Sequence, residues 1–283
     1  MNKKVIGKIA LHIVIIALLF MVLLPFYILI INSMKTEVQI NQNPMAFPVL
    51  NKETWAFAGA AYDFAWMYLQ EYVLNTVIIA VIEVVGVVLF ASMASYGFTC
   101  FRFKGQDLLF TVFLAFMMVP GILTLASQYS LVYTGLNLKQ SYWGVVLPAI
   151  AGGMPVNIFL IKTFFAGVPD SLFEAAEIDG ASHFRRYITF ALPLSMPILF
   201  TVGLSTLMGA WNDVIWARLI LYGKENLYTI SVGVFAVISD PKNNISPTVV
   251  YASYVIASLP LVVAFSLTSK QFIKGLTNGA IKM

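Results

Sequence analysis

Charged residues become scarce in six long stretches of the chain, and each stretch is long enough to cross a lipid bilayer as a helix. About 20 mostly apolar residues are needed to cover a hydrocarbon layer of roughly 30 Å. The six windows are residues 9–31, 72–99, 108–132, 143–165, 194–216 and 249–267. None shows the strict alternation of a membrane-barrel strand. The pattern therefore predicts an all-α, polytopic membrane protein with six transmembrane helices.

The segments between these windows predict one membrane domain covering residues 1–283. The connections include an outer segment of residues 32–71, a long inner loop of residues 166–192 and a tail of residues 268–283. The first window follows three lysines like a signal peptide, but it is too long and lacks a cleavage pattern, so we expect a retained anchor. Most lysines and arginines fall on one set of connections, which predicts that both termini are cytoplasmic.

Composition narrows the class of protein further. The chain has 283 residues, of which 60% are hydrophobic and 11% charged, whereas an ordinary soluble domain has roughly 25% charged residues. This excludes a typical cytosolic enzyme, and the net charge of +4 is too small for a disordered chain. One cysteine and two histidines exclude a disulfide framework and disfavour a metal centre. We therefore predict membrane lipid as a partner, with no nucleic acid and no bound metal.

The long inner loop contains the signals of a short helix. Ser171 followed by Glu174 forms the spacing of a capping box, which predicts that the helix starts at Ser171. Gly180 is suited to a left-handed stop after about two turns. Small residues leave room for another protein to approach closely, and Pro193 and Pro197 are suited to the first turn of the fifth span.

The spacing in this loop is more specific than the short helix alone. Glu174-Ala175-Ala176 is followed by Gly180 and then by Leu192-Pro193, between the fourth and fifth predicted spans. This resembles the inner-loop signature of the permeases of ATP-binding-cassette (ABC) importers, although Phe190 stands where that family usually has isoleucine. Further segments resemble the shorter six-span permease of maltose-type carbohydrate importers: Asn32-Ser33-Met34-Lys35-Thr36, Ala94-Ser95-Tyr96-Gly97, Met118-Val119-Pro120, Trp211-Asn212-Asp213 and residues 271–282.

The resemblance implies a role and a set of partners. The partners are a second homologous permease chain, two ATP-binding ABC subunits, an extracellular solute-binding protein and a sugar or oligosaccharide, in a prokaryotic inner or plasma membrane. The inner loop would supply a coupling helix that docks on an ATPase subunit, and the C-terminal tail would contact the ATPases. The coupling residues so implied are Glu174, Ala175, Ala176, Asp179, Gly180 and Ala181; those of the tail are Lys274, Gly275 and Lys282.

The chain has no phosphate-binding loop of its own, since Gly223-Lys224 fails the Gly-x4-Gly-Lys-Ser/Thr pattern at both ends. We therefore expect a transport subunit that is not an enzyme and holds no cofactor, with ATP and magnesium bound by the partner ATPase. Two alternatives remain. One is an ion-driven secondary sugar carrier, and the other is a membrane scaffold that recruits an ATPase without transporting a solute.

Four polar or aromatic residues are candidates for the substrate pathway: Glu83, Trp211, Asn212 and Asp213. Glu83 falls near the middle of the second window, where a carboxylate is costly unless it faces the bundle interior or a wet cavity. The alternative for Glu83 is a structural hydrogen bond to a neighbouring helix. Tryptophan is common at membrane boundaries in any case, so Trp211 alone carries little weight.

Overall fold

The computed structural model describes residues 3–239 and 245–280. Helices joined by turns and loops make up these residues, and none of them forms a strand, which confirms the all-α prediction. The α-helices are α1 (Lys3–Asn32), α2 (Glu37–Gln42), α3 (Lys52–Cys100), α4 (Gln106–Met117), α5 (Gly121–Ser130), α6 (Tyr142–Phe165), α7 (Asp170–Ile178), α8 (His183–Arg186), α9 (Leu192–Leu194), α10 (Met196–Asn212), α11 (Ile215–Leu221), α12 (Ile230–Ser239) and α13 (Pro247–Ala280). Two π-helical turns, Leu131–Gly135 and Tyr187–Ala191, continue α5 and α8.

Length and hydropathy identify between four and six candidate membrane spans among the described residues. Four are single helices: Gly7–Asn32, Lys52–Cys100, Tyr142–Phe165 and Pro247–Lys270. Two more are bent pairs, Gln106–Met117 with Gly121–Gly135 and His183–Leu194 with Met196–Asn212. The count reaches six if each pair crosses as one span, so the six-span arrangement stays a prediction.

The third window is not the straight helix that its hydropathy suggests. Its two halves, α4 and α5, meet at 97° across Pro120. Proline donates no backbone N–H and disfavours the helical conformation of the residue before it, which here is Val119. The fifth window is bent by 78° at Ser195, and its helix α10 ends at Asn212, before the predicted limit of 216.

Two helices extend well beyond the windows that predicted them. α3 begins at Lys52 and has 49 residues, so much of the outer segment predicted as a connection is helical. At 1.5 Å per residue α3 is about 74 Å long, more than twice the hydrocarbon thickness. α13 runs from Pro247 to Ala280 without a break, so the predicted tail after residue 267 begins as a continuation of the last span.

The chain divides into two compact units, and the first comprises Met1–Gln70 and Gly233–Pro260. Its polar centre is Lys35, which is 1% exposed and donates from Nζ to the carbonyls of Asn43 at 3.0 Å and Pro44 at 3.2 Å. Thr248 Oγ1 donates to the Lys35 carbonyl at 2.7 Å. Burial lowers the pKa of the Lys35 amine. These bonds fix the turn that follows α1.

The second unit comprises Glu71–Val232 and Leu261–Met283 and contains two hydrophobic clusters. One cluster is centred on Tyr96, Ile161 and Tyr187, and the other on Ile79, Val146 and Ile220. α3 contributes to both clusters. It is therefore the element on which the two candidate functional regions of this unit are built.

Candidate functional site

A cavity of about 390 Å³ lies in the second unit, against the middle of α3. Its lining residues are Glu83, Gln128, Ala149, Gly209, Ala210, Asn212, Asp213 and Trp216. Three of the four residues that the sequence suggested for the substrate pathway are thus brought together. The fourth, Trp211, lies outside this lining; it is 4% exposed, and its carbonyl accepts a hydrogen bond from the Ser231 hydroxyl.

Glu83 contributes a buried carboxyl to the cavity wall. Its side chain is 4% exposed, although it faces the cavity. Among the residues that the structure describes, none forms a hydrogen bond or an ion pair with this carboxyl. Buried polar groups are nearly always hydrogen-bonded in native proteins. The Glu83 carboxyl is an exception to this rule. The hydrogen bond to a neighbouring helix that the sequence left open is not found in the described part of the chain.

The break between α10 and α11 places the other polar groups of the cavity. Asp213 accepts the backbone N–H of Trp216 at 3.0 Å on one carboxylate oxygen and that of Ala217 at 3.1 Å on the other. These are the free N–H groups at the start of α11, where a negative charge is favourable. Asn212 Nδ2 donates to the Met208 carbonyl at 2.8 Å. Asp213 therefore has a structural role in addition to facing the cavity.

Of the lining residues that were not among the sequence candidates, two are polar or aromatic, Trp216 and Gln128. Trp216 is held by a hydrogen bond from Nε1 to the Gly144 carbonyl at 3.1 Å, across the start of α6. Gln128 reaches the cavity from α5. The sequence predicted a straight third span, which gave no reason to single out Gln128. The bend at Pro120 sets the direction of α5 and so brings Gln128 to the cavity.

The second candidate region is the helix α7 in the long loop. It begins at Asp170 with Pro169 as its N-cap, so the predicted capping box at Ser171 and Glu174 is wrong. Proline at the cap holds φ at −60°, and the cap lies two residues before the expected one at Ser171. Ser171 consequently lies inside the first turn and is not at the cap.

The C-terminal end of α7 follows the prediction closely. Gly180 has a φ of +73°, the left-handed conformation that glycine adopts without steric cost. The N–H of Ala181 donates to the Ala176 carbonyl at 2.9 Å, and that of Gly180 donates to the Glu177 carbonyl at 3.0 Å. This pair of bonds is a Schellman motif.

The residues proposed for coupling do not all share one environment. Glu174, Ala175, Asp179 and Gly180 are exposed, and Ala181 is half-buried. Ala176 is 5% exposed and forms part of the underside of α7. Exposed apolar side chains accompany the outer face, including Ile178 at 87% exposure. The outer face of α7 therefore combines small residues with the exposed, bulky side chain of Ile178.

Beneath α7, an arginine that the sequence did not single out holds the helix in place. Arg186 is 7% exposed, and its Nη1 donates to Glu177 Oε2 at 2.8 Å, the one ion pair found in the described residues. Nη1 also donates to the Phe173 carbonyl at 3.5 Å. Its Nη2 lies 3.3 Å from both ring nitrogens of His183.

An aromatic cluster joins this loop to α3. The Tyr96 ring lies 5.4 Å from the ring of Tyr187, 6.3 Å from that of Phe173 and 6.5 Å from that of His183, each in an edge-to-face arrangement. The hydroxyls of Tyr187 and Ser92 are 2.7 Å apart. Sequence periodicity did not reveal this cluster, because its members come from segments far apart in the chain.

The candidate residues of the C-terminal tail remain largely untested. Lys274 and Gly275 fall within the backbone of α13. Lys282 lies outside the described residues. Their predicted contact with an ATPase stays a prediction.

Residues 87–277 match the family described as binding-protein-dependent transport system inner membrane component. That region includes the break between α10 and α11 at the cavity, the whole of α7 and Arg186 beneath it. It covers more than half of the chain.

Individual relatives agree with this match. The chain is 34% identical over 216 residues to the maltodextrin transport system permease protein MdxG of Bacillus subtilis, covering 76% of each chain. It is 34% identical over 215 residues to the galactooligosaccharides transport system permease protein GanQ of Bacillus subtilis, covering 76% of this chain and 75% of that one. It is 28% identical to the arabinooligosaccharides transport system permease protein AraQ of Bacillus subtilis, covering 97% of this chain and 96% of that one.

A solved structure has the same fold. It is the crystal structure of a bacterial ABC transporter involved in the import of the acidic polysaccharide alginate, with a TM-score of 0.77 and 20% identity. The match covers 96% of this chain and 98% of that one. The family match and the named relatives show that the chain belongs to the family of inner membrane components of binding-protein-dependent transport systems, a family of multi-pass transport permeases rather than enzymes.

Proposed function

We propose that this chain is the permease subunit of an ATP-driven ABC importer for a sugar or oligosaccharide and that it forms half of the translocation pathway. The observation that carries the proposal is α7. This helix exposes Glu174, Ala175 and Gly180, while its underside is fixed by Arg186. A helix with an exposed outer face and an anchored inner face is suited to docking on another protein and moving with it.

The energy for uptake is supplied by other subunits in this proposal. The sequence has no phosphate-binding loop, so ATP and magnesium bind to two partner ATPase subunits. A second, homologous permease chain completes the pathway, and an extracellular binding protein delivers the solute. Closure of the ATPases moves the docked helices as rigid bodies and switches the cavity between outward and inward access. Both chain termini then face the cytoplasm of a prokaryotic cell, and the tail residues Lys274, Gly275 and Lys282 contact the ATPases.

The polar cavity supports a solute-contacting role for this chain. Glu83 can accept hydrogen bonds from sugar hydroxyls, and the side-chain amides of Gln128 and Asn212 can both donate and accept them. Trp216 adds an aromatic surface of the kind that packs against sugar rings. A cavity with a few convergent polar groups is the ordinary form of a small-molecule site.

A sugar as solute is supported by the named relatives, which are permeases of maltodextrin, galactooligosaccharide and arabinooligosaccharide systems. These names cover different pentose and hexose units, so they support the class of solute and not a particular sugar. The companion permease contributes further contacts to the same pathway.

The proposal is tested on the complex that co-purifies with this chain in mild detergent, reconstituted in vesicles with its binding protein. We expect ATP-dependent uptake of an oligosaccharide, chosen from a panel of maltodextrins, galactooligosaccharides and arabinooligosaccharides. Replacement of Gly180 by valine or Glu174 by alanine should reduce sugar-stimulated ATP hydrolysis and leave membrane insertion unchanged. Arg218→Gln, a change in α11 far from α7 in sequence, serves as the control.

The same preparation separates the proposal from its alternatives. Uptake by this chain alone, without nucleotide and with strong dependence on Glu83, would indicate an ion-driven carrier. Binding of an ATPase without any solute flux would indicate a scaffold. Unchanged ATP turnover in both α7 variants would remove the coupling role from this helix.

A further inference from the structure

The helix α7 is too short to transmit a movement through its chain connections alone. It has nine residues, and a turn precedes it while a glycine stop follows it. Such a helix could tilt about its two ends without displacing the membrane helices. Transmission therefore requires contacts that prevent this tilt.

The ion pair beneath α7 supplies one such contact. The Arg186 side chain is 8% exposed, whereas that of Glu177 is 69% exposed. The guanidinium is thus fixed inside the protein, and it bonds to a carboxylate of α7 that is itself largely exposed. A pair with one exposed partner adds little to stability. Its geometric effect is larger, because it ties the C-terminal half of α7 to a buried group.

Phe173 supplies a second contact in the N-terminal half of the same helix. Its ring packs on Tyr96 of α3, and its carbonyl faces the same Arg186 guanidinium. Phe173 and Glu177 are four residues apart and therefore lie on the same side of α7. Because both halves of the helix are held on this side, α7 moves together with the Arg186 side chain beneath it.

The arginine itself is joined to α3 through its neighbour in sequence. Tyr187 follows Arg186, packs on the ring of Tyr96 and meets the hydroxyl of Ser92 at 2.7 Å. Ser92 and Tyr96 are one helical turn apart on α3. Glu83 lies on the same helix about 13 residues before Tyr96, a distance of about 20 Å along a helix. A displacement of this part of α3 therefore reaches the wall of the polar cavity.

We propose that Arg186 is the positioning residue that fixes α7 to α3, through Glu177 and Phe173 on one side and Tyr187 on the other, so that movement of α7 reaches the Glu83 cavity. This inference rests on the proposed function, in which α7 receives the movement of an ATPase. It assigns different roles to the two glutamates of α7. Glu174 is exposed and available to the partner, whereas Glu177, although also exposed, bonds to the buried arginine.

The test measures coupling in the complete transporter in vesicles, as the number of ATP molecules hydrolysed for each sugar taken up. We expect Arg186→Gln to raise this ratio at least about fivefold, the lower end of typical coupling effects between sites. The ATPase should still co-purify with the variant. Arg186→Lys should retain part of the coupling, because it keeps the charge but loses the forked geometry.

A charge exchange identifies the pair itself. Glu177→Arg and Arg186→Glu should each uncouple the transporter, and the double variant should restore much of the lost coupling. Arg185→Gln is the matched control, because Arg185 is the adjacent arginine and is exposed. A role in folding alone would lower ATP hydrolysis and uptake together and leave their ratio unchanged.

Glu177→Gln keeps the proposal testable if changes at the buried arginine prevent assembly, since the Glu177 side chain is largely exposed. Normal ratios in both Arg186→Lys and Glu177→Gln would overturn the inference. So would a double exchange that behaves no better than its single variants. A wild-type complex without ATP-dependent uptake would instead contradict the proposed function, which makes the two failures distinguishable.

Discussion

Near residue 83, α3 borders a cavity in which a carboxyl has no partner among the described residues, whereas near residue 96 the same helix is enclosed by aromatic rings. At the second region the buried charge of Arg186 is paired with Glu177. A buried carboxyl without a partner, as at Glu83, is energetically costly but suited to contact with a ligand. A packed aromatic cluster, as at Tyr96, is suited to holding helices in a fixed relation. In the functions proposed above, the first region contacts the solute and the second transmits movement, so the two roles are separated along one helix.

The largest expected effect is a loss of stability at the start of α6, which packs beside the cavity. A Cβ at Gly144 would collide with the Leu138 carbonyl oxygen and lie 2.8 Å from Ile220 Cγ2. A backbone oxygen cannot move aside as a flexible side chain can, so Gly144→Ala should lower the free energy of unfolding by about 3 kcal/mol. The midpoint of thermal unfolding in detergent measures this loss.

Gly152→Ala is the control for that change, because a Cβ at Gly152 of the same helix meets nothing within 4 Å. Equal stability of the two alanine variants would show that the start of α6 is less rigidly packed than its contacts indicate.

A smaller loss is expected where Asp213 fixes the start of α11. Asp213→Ala removes the acceptor of two backbone N–H groups and should cost between about 1 and 2 kcal/mol, as for other helix caps. Asp213→Asn should retain part of this stability, since one amide oxygen can still accept. Thermal unfolding of the two variants side by side tests the prediction, and an alanine variant as stable as the wild type would contradict it.

A change at Glu83 should have the opposite sign. Glu83→Leu removes a buried carboxyl that lacks a described partner, so the variant should gain about 1 kcal/mol in stability. Sugar uptake by the reconstituted complex should fall at the same time. Glu71→Leu, a change of an exposed carboxylate on the same helix, should leave uptake unchanged. A loss of stability in Glu83→Leu would indicate that this carboxyl has a structural bond after all.

The smallest expected effect is a loss of stability in the aromatic cluster around Tyr96. Tyr187→Phe removes the hydroxyl that meets Ser92, but the Ser92 hydroxyl still donates to the Val88 carbonyl. The expected cost is about 0.5 kcal/mol, because the ring contact with Tyr96 is retained. Thermal unfolding should resolve this loss from the wild type in replicate scans. A loss as large as that of Asp213→Ala would show that the hydroxyl pair, rather than ring packing, holds this region together.

The fold class and the position of α7 could be predicted because both depend on local sequence. Long apolar runs predict helices in a membrane protein, and Gly180 ends α7 where a left-handed residue was expected. The predicted cap of α7 was wrong by two residues, since Pro169 and not Ser171 holds that position and proline imposes its own φ. The bend at Pro120 has a local cause as well, but its angle of 97° depends on packing.

The candidate site was predicted only in part, for a related reason. Glu83 and Asp213 stood out because ionisable residues are rare in apolar windows. Gln128 and Trp216 did not, since a glutamine or a tryptophan in a membrane helix has many ordinary explanations. The pairing of Arg186 with Glu177 also escaped notice, because two opposite charges in a polar loop are expected whether or not they meet.

The sequence by itself determined that this protein is a helical membrane protein, because hydrophobic runs, proline and glycine act through the chain's own backbone. Only the tertiary structure decided that Glu83, Asn212 and Asp213 line the same cavity and that Arg186 lies buried under α7. Those contacts join residues that are distant in the chain, and their distances depend on how the helices bend and pack. Local pattern limits which side chains can be buried, but three-dimensional packing selects the partners that each of them meets.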